Sequence, residues 1–241
     1  SRINRTLMTA LNPPLIPLET DILLWINQHH SPFLDAFMYM ISNPGAWVFV
    51  VAVLLYYLFA KKPWQEGFLV LLAIGLCILI CDQLSSHLAK PIFARPRPTH
   101  TEGIENLIHV VYNYVGGPYG FFSGHASNFF ACATILALTI RRFTHSLMLY
   151  LLVFLVAYSR MYLGVHYLSD ILTGMFIGIS VGVGIHYLKE YLRKHISPLC
   201  YKSSKDIFRA EYKVWIISLI AFLPILIGYS WQVARIIKRL G

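Results

Sequence analysis

Arg160, His166 and Asp170 stand in one short stretch, SRMYLGVHYLSD (Ser159–Asp170), and bring a fixed cation, a titratable nucleophile and a carboxylate to one end of a hydrophobic segment. Cations beside a His/Asp pair are what phosphate-ester chemistry requires, because a phosphate dianion needs charge compensation and phosphorus needs a nucleophile. If the stretch runs into the helix that follows, His166 and Asp170 are four apart and share a face. Asp170 is then expected to accept a hydrogen bond from one ring nitrogen of His166, which fixes the tautomer and leaves the other nitrogen free to attack. Read without its surroundings, the same stretch is equally a polar helix cap at a membrane edge.

Two other polar stretches have matching uses. KPIFARPRP supplies Lys90 and Arg97, which with Arg160 can offset the charge of a phosphate dianion, the arginines through forked hydrogen bonds and the lysine as a point charge. FFSGHASN supplies Ser123, Gly124 and His125 where an apolar run begins. The backbone N–H groups of Ser123 and Gly124 are free at such a helix start, and the dipole there favours an anion. Two histidines with different neighbours can divide nucleophile and acid work. The residue types alone do not decide which is which, although the adjacent carboxylate favours His166. Asp82, on a stripe with Ser86 and Lys90, reads either as support for the cationic site or as a helix-packing residue, and Arg95 reads as a rim charge. The other histidines lack carboxylate and cation partners at comparable spacing, and His29 and His30 read as solvated residues at a turn.

The elements that must position these groups are apolar. Of 241 residues 57% are hydrophobic and only 13% charged, against about 25% charged in an average soluble domain. Several apolar runs approach the roughly 20 residues needed to cross a bilayer. The expected fold is all-α, an integral membrane helical bundle of about six spans forming one domain over residues 1–241. Interfacial helices are expected at 19–42, catalytic core spans within 46–188, and an additional C-terminal span at 214–234 in which Pro224 should cause a kink. Gly174, Gly178 and Gly182, four apart, read as a close-packing ridge. Residues 91–120 read as a long wet loop, and loops of that length in compact proteins are usually functional. No cleavable leader pattern is expected at the start, where prolines replace an apolar run.

The net charge of +9 does not call for a nucleic-acid partner. Lys61-Lys62, Arg141-Arg142 and the 189–213 segment hold 11 of the 20 Lys and Arg residues. The positive-inside rule places those loops in the cytoplasm and the chemistry-bearing ends outside. Cys77 and Cys81 share a helix face without a nearby His or second pair, so neither a metal site nor a disulfide framework is expected.

Lys90, six residues, Arg97-Pro98; Ser123-Gly124-His125; and Ser159-Arg160, five residues, His166, three residues, Asp170 resemble the three-part signature of the type 2 phosphatidic acid phosphatase superfamily over residues 90–170. One departure is Phe122, where the family usually has proline. The resemblance implies a lipid phosphatase that needs no metal or cofactor and works through a phosphohistidine, with His166 as nucleophile, Asp170 orienting it, His125 as general acid, and Lys90, Arg97, Ser123, Gly124 and Arg160 holding the phosphate. It implies a membrane-lipid substrate, with undecaprenyl pyrophosphate, lipid A and phosphatidylglycerophosphate as candidates, at the periplasmic face of a bacterial inner membrane. The rival readings are a lipid phosphotransferase that passes the phosphoryl group to an acceptor lipid, a haloperoxidase-type vanadate site, which belongs to soluble proteins, and a non-catalytic lipid-binding or transport protein. Oligomeric state has no signature in the sequence.

Overall fold

The computed structural model describes residues 17–196, 207–208 and 212–240. Arg2, Arg5, Cys200 and most of the basic stretch after residue 196 lie outside the described residues, so the readings that rest on them are untouched. The described part is helical: α1 (Pro17–Gln28), α2 (Pro32–Ser42), α3 (Val48–Phe59), α4 (Trp64–Asp82), α5 (Gly124–Ile140), α6 (Phe143–Tyr162), α7 (Leu168–Ile196) and α8 (Tyr212–Leu240), with no strand among the described residues.

Local chemistry sets the ends. Ser31 caps α2 by accepting from the Leu34 amide at 3.2 Å, and Pro32 occupies the first helical position, where a missing N–H costs nothing. Asn43 accepts from the Gly45 amide at 2.8 Å and starts a short 3₁₀ turn ahead of α3. That turn bends α2 against the segment Pro44–Phe59 by 71°. Ser123 caps α5, its hydroxyl accepting from the Ala126 amide at 3.4 Å, so Phe122 in place of proline leaves the helix entry intact.

Among the described residues four helical segments are long and apolar enough to cross a membrane: Trp64–Phe93, α6, α7 and α8. The bent pair of α2 and Pro44–Phe59 passes the same criterion jointly, and α5 is apolar but shorter. The expected count of about six rests on including both of these. Large apolar side chains such as Leu72, Leu79, Phe176 and Ile217 face outward, which is tolerable only where the surrounding solvent is itself apolar. The chain is a multi-pass membrane protein. The 19–42 stretch, read from sequence as interfacial, is partly interior: Ala36, Phe37, Met38, Ile41 and Ser42 of α2 are buried, and α2 packs on α6 and α8. α8 keeps Pro224 inside one continuous helix and buries Trp215, Leu219, Phe222 and Leu226.

The glycine ridge of α7 lies against α5. A Cβ on Gly174 would come within 2.6 Å of the Ser123 carbonyl oxygen, and one on Gly182 within 2.7 Å of Thr134 Cβ. Because only hydrogen occupies these positions, the two helices approach closely enough for the Ser123 amide to reach the Asp170 carbonyl at 3.0 Å. The ridge therefore registers two of the three polar stretches against each other. The third is placed by a π-helical segment, Gln83–Ala89, at the end of α4. It turns Ser85 toward α5, where its hydroxyl donates to the Phe122 carbonyl at 2.9 Å, and delivers Lys90 to the same end of the bundle.

At the opposite end Arg193 pairs with Glu66 at 2.8 Å, Lys189 reaches Thr139 at 3.1 Å, and the Arg142 guanidinium sits 5.3 Å from the Tyr212 ring centre. Of the basic places that the charge count grouped, Arg142, Lys189 and Arg193 are thus gathered away from the site.

Candidate active site

The site occupies the end of the bundle where Trp64–Phe93 ends, α5 begins and α6 turns into α7. Gly164, with φ of +69°, makes the α6–α7 turn, a conformation that side chains with a Cβ rarely adopt. The turn leads into His166, which stands outside helical structure two residues before α7 starts. His166 and Asp170 therefore do not share a helix face as expected. Asp170 is the third residue of α7, and its Oδ2 reaches back to the Tyr167 amide at 2.9 Å, half of a capping box.

This geometry corrects the expected His166–Asp170 hydrogen bond. His166 Nδ1 lies 3.5 Å from Asp170 Oδ2 and makes no hydrogen bond, while Oδ2 is occupied by the Tyr167 amide. The imidazole is 2% exposed. Its other nitrogen, Nε2, faces Arg97 Nη1 at 3.4 Å. A guanidinium has only protons to offer, so Nε2 presents its lone pair and the ring proton sits on Nδ1, toward Asp170. Burial, followed by Arg97, Arg160 and Lys90, holds the His166 pKa well below the ordinary histidine range, with the Gly120 carbonyl opposing. The imidazole is neutral at physiological pH.

Three cations surround it without a carboxylate of their own among the described residues. Arg97, 8% exposed, is held by carbonyl oxygens, donating to Tyr119 at 3.1 Å and to Val165 at 3.4 Å. Its guanidinium lies where a side chain on Gly116 would stand, 2.8 Å from the position of a Cβ there, and Gly116 has φ of +68°. Arg160, 2% exposed, donates to the Ser42 hydroxyl and to the Tyr114 hydroxyl at 2.8 Å. Lys90, half-buried, makes no ion pair among the described residues. Burying a charge without a counter-charge costs several kcal/mol, about 3–5 when a partner is missing. Three such cations converging on one neutral histidine describe an anion site. Ser123 is fully buried at the start of α5, and its amide, expected to be free, is taken by the Asp170 carbonyl, which leaves the amides of Gly124 and His125 to open that helix. The His125 ring is within electrostatic range of Arg160, His166 and Arg97 and lies beside the Ser42 backbone. All eight residues singled out from sequence are thus brought to one end of the bundle.

Other positions differ from expectation. Arg95 is no rim charge: it is 6% exposed, donates to Asp170 Oδ1 at 2.7 Å and to Glu19 Oε2 at 3.0 Å, and stacks 4.4 Å from the Tyr167 ring centre. Asp82 is exposed and accepts from Ser86 at 3.3 Å, so it does not brace the arginines. Glu19, Ser42 and Tyr114 were missed. Glu19 accepts from the Ser169 amide at 2.7 Å and the Ser169 hydroxyl at 3.1 Å, and so caps α7 from a helix at the other end of the chain. A single carboxylate in an apolar first turn is the signal that could have marked it, and it is also what an ordinary helix start looks like. Of the remaining histidines, His145 is a core residue that accepts from Trp215 Nε1 at 2.9 Å.

The chain is similar to proteins already known. The sequence model of the PAP2 superfamily matches residues 66–194. A lipid A 4′-phosphatase of Porphyromonas gingivalis is 34% identical over 226 residues, covering 93% of this chain and 96% of the relative. A lipid A 4′-phosphatase of Bacteroides thetaiotaomicron is 36% identical over 179 residues, 74% of this chain and 80% of the relative. Among solved structures, Aquifex aeolicus LpxE is 26% identical with a TM-score of 0.55, covering 71% of this chain and 96% of that one. A PAP2-type phosphatidylglycerolphosphate phosphatase of Bacillus subtilis is 23% identical with a TM-score of 0.53, covering 80% and 94%, and shares the fold.

Proposed function

Because the chain belongs to the PAP2 superfamily, we propose that it is a lipid phosphatase that removes a phosphate monoester from lipid A, the 4′-phosphate first among its candidates, at the periplasmic face of the inner membrane and through a phosphohistidine. The observation that carries the chemistry is the set of three cations lacking carboxylate partners around a neutral, buried His166. The relatives' names favour lipid A over undecaprenyl pyrophosphate and phosphatidylglycerophosphate, and Arg142, Lys189 and Arg193 at the other end of the bundle support the periplasmic face.

In this reading Arg97, Arg160 and Lys90, with the amides opening α5, bind the phosphate oxygens. His166 Nε2 attacks phosphorus, the bond to the sugar oxygen breaks, and His125 gives that oxygen its proton. The phosphorylated imidazole keeps its Nδ1 proton and becomes cationic, which draws it onto Asp170 across the present gap of 3.5 Å; such contacts tighten as charge develops. Water, deprotonated by His125, then takes the phosphoryl group and restores both histidines. No step needs a metal.

The test is orthophosphate release from lipid A in detergent with EDTA present, His166→Ala serving as the blank. Release that disappears in the variant is expected, as is an acid-labile, alkali-stable phosphoprotein that accumulates in His125→Ala. No release from lipid A by folded protein would overturn the substrate assignment. Label passing to a second lipid instead of water would make the enzyme a transferase.

A further inference from the structure

The turn between α1 and α2 brings a second histidine cluster together, apart from the phosphate site. His109, in the long loop, donates from Nε2 to Asp35 Oδ2 at 3.0 Å, and its ring stacks on that of His30 with centres 3.7 Å apart and planes inclined by 7°. One ligand atom from each of His30, Asp35 and His109 lies within 4.8 Å of the other two. We propose that these three residues bind a divalent transition-metal ion, Zn²⁺ by preference, as a structural staple.

The chemistry is that of a three-ligand N,N,O site. Neutral imidazole offers an in-plane lone pair, which is the form that binds a metal. Imidazole with carboxylate selects zinc among the abundant divalent ions and leaves a fourth position for water. Ligand atoms about 2.0–2.1 Å from a tetrahedral ion stand about 3.3 Å from one another. The His109–Asp35 edge of 3.0 Å is already near that length. The widest edge needs to close by no more than about 1.5 Å, and the His30 ring must turn out of its stack so that the in-plane lone pairs converge, which its exposed turn leaves it free to do.

The supports of the cluster are those of a built site. The other oxygen of Asp35 accepts from the Tyr162 hydroxyl at 2.6 Å, the outer-shell contact that orients a ligating carboxylate. Buried Asn27 clamps the His109 backbone from both sides, accepting from its amide at 2.7 Å and donating to its carbonyl at 3.0 Å, and also donates to the Tyr162 carbonyl at 2.8 Å. His29, next in sequence to His30, is engaged elsewhere, its Nδ1 standing 2.5 Å from the Trp25 carbonyl. A metal here ties the long loop to the α1–α2 turn and to the end of α6, four residues before His166. It takes no part in phosphoryl transfer, so phosphate release in EDTA and metal binding are separate readouts.

The experiment uses the untagged full chain in detergent, stripped with EDTA, dialysed, and titrated with Zn²⁺ against a chromophoric chelator. Co²⁺ is used in parallel for its visible absorption. One saturable Zn²⁺ per chain is expected, with a raised thermal midpoint and the visible bands of a four-coordinate Co²⁺ ion free of thiolate charge transfer. His30→Ala, at an exposed position that spares the fold, and Asp35→Asn should each weaken binding by more than about tenfold, and Tyr162→Phe by about tenfold. Absence of saturable binding, binding as tight in His30→Ala as in the parent, or a thiolate–cobalt band placing the ion on cysteine would each overturn the assignment.

Discussion

Glu19 sits 150 residues from the helix it caps, and removing its carboxylate tests whether the buried Glu19–Arg95–Asp170 chain sets the position of the nucleophile. In Glu19→Ala the Ser169 amide loses its acceptor, which costs about 1 kcal/mol. Arg95 loses one of two carboxylates in a buried setting, where breaking an ion pair from one side costs about 3–5 kcal/mol. Because Arg95 keeps Asp170 at 2.7 Å, the lower end applies, and a total near 3–4 kcal/mol is expected. The catalytic consequence is separate. Freed from Glu19, the Arg95 fork can turn both nitrogens onto Asp170 and draw its carboxylate away from His166 Nδ1, already 3.5 Å distant. An ångström of misplacement costs about 10²-fold in rate. We expect kcat on a lipid A substrate to fall by about 10²-fold in Glu19→Ala with little change in KM, since Glu19 touches none of the phosphate-facing groups. Glu19→Gln keeps an acceptor for the Ser169 amide but not the charge, so it should recover most of the thermal midpoint while kcat stays low. Folded Glu19→Ala with the parent kcat, or a loss expressed only in KM, would refute the coupling.

Asp170→Asn should fold, because Arg95 retains Glu19, yet lose about 10²–10⁴-fold in kcat as the phosphorylated imidazole loses its counter-charge; equal turnover would separate Asp170 from the chemistry. The pH dependence follows from His166. With its folded pKa held below the unfolded value of about 6.5 by burial and the neighbouring cations, the unprotonated nucleophile survives as pH falls, so the acid limb of kcat/KM should lie well below 6.5, and Arg97→Gln should move it upward. By the same linkage the unfolded chain binds the extra proton first, so this histidine subtracts stability as pH drops through about 6.5 toward the folded pKa and contributes no such loss above it; a thermal midpoint independent of pH across that window in the parent but not in His166→Ala would contradict it. Gly174→Leu should cost about 1–3 kcal/mol and depress kcat, since its Cβ would stand 2.6 Å from the Ser123 carbonyl, whereas Gly184→Leu, whose Cβ meets nothing within 4 Å, should be neutral in both assays.

The parts of the fold legible in the sequence are those written in local periodicity. The apolar cores of the spans and the ridge of Gly174, Gly178 and Gly182 each depend on residues within a few turns of one another, and the structure places them as that spacing implies. That the three polar stretches gather at one end of the bundle was legible for the same reason, because each interrupts an apolar run. Their connections were not. A spacing of four between His166 and Asp170 reads as a shared helix face, but the helix starts at Leu168, after a turn fixed by Gly164, and Tyr167 at the capping position has none of the side-chain chemistry that marks a cap. Asp170 is consequently held by a backbone amide and by Arg95, and reaches His166 only through space. Arg95 looked like a rim charge because its loop is polar, and no local pattern reveals that a carboxylate 76 residues earlier is waiting for it. Asp82, Ser86 and Lys90, four apart in turn, form a stripe only on an α-helix, and the π-helical Gln83–Ala89 segment changes what that spacing means. The cations that contact phosphate in our reading are the ones with no carboxylate, while the cation with two of them, Arg95, holds the carboxylate beside His166. Charge type could be read from sequence, but the division between binding cations and structural ones is made by long-range partners, and those exist only once α1, the long loop and the start of α7 have met.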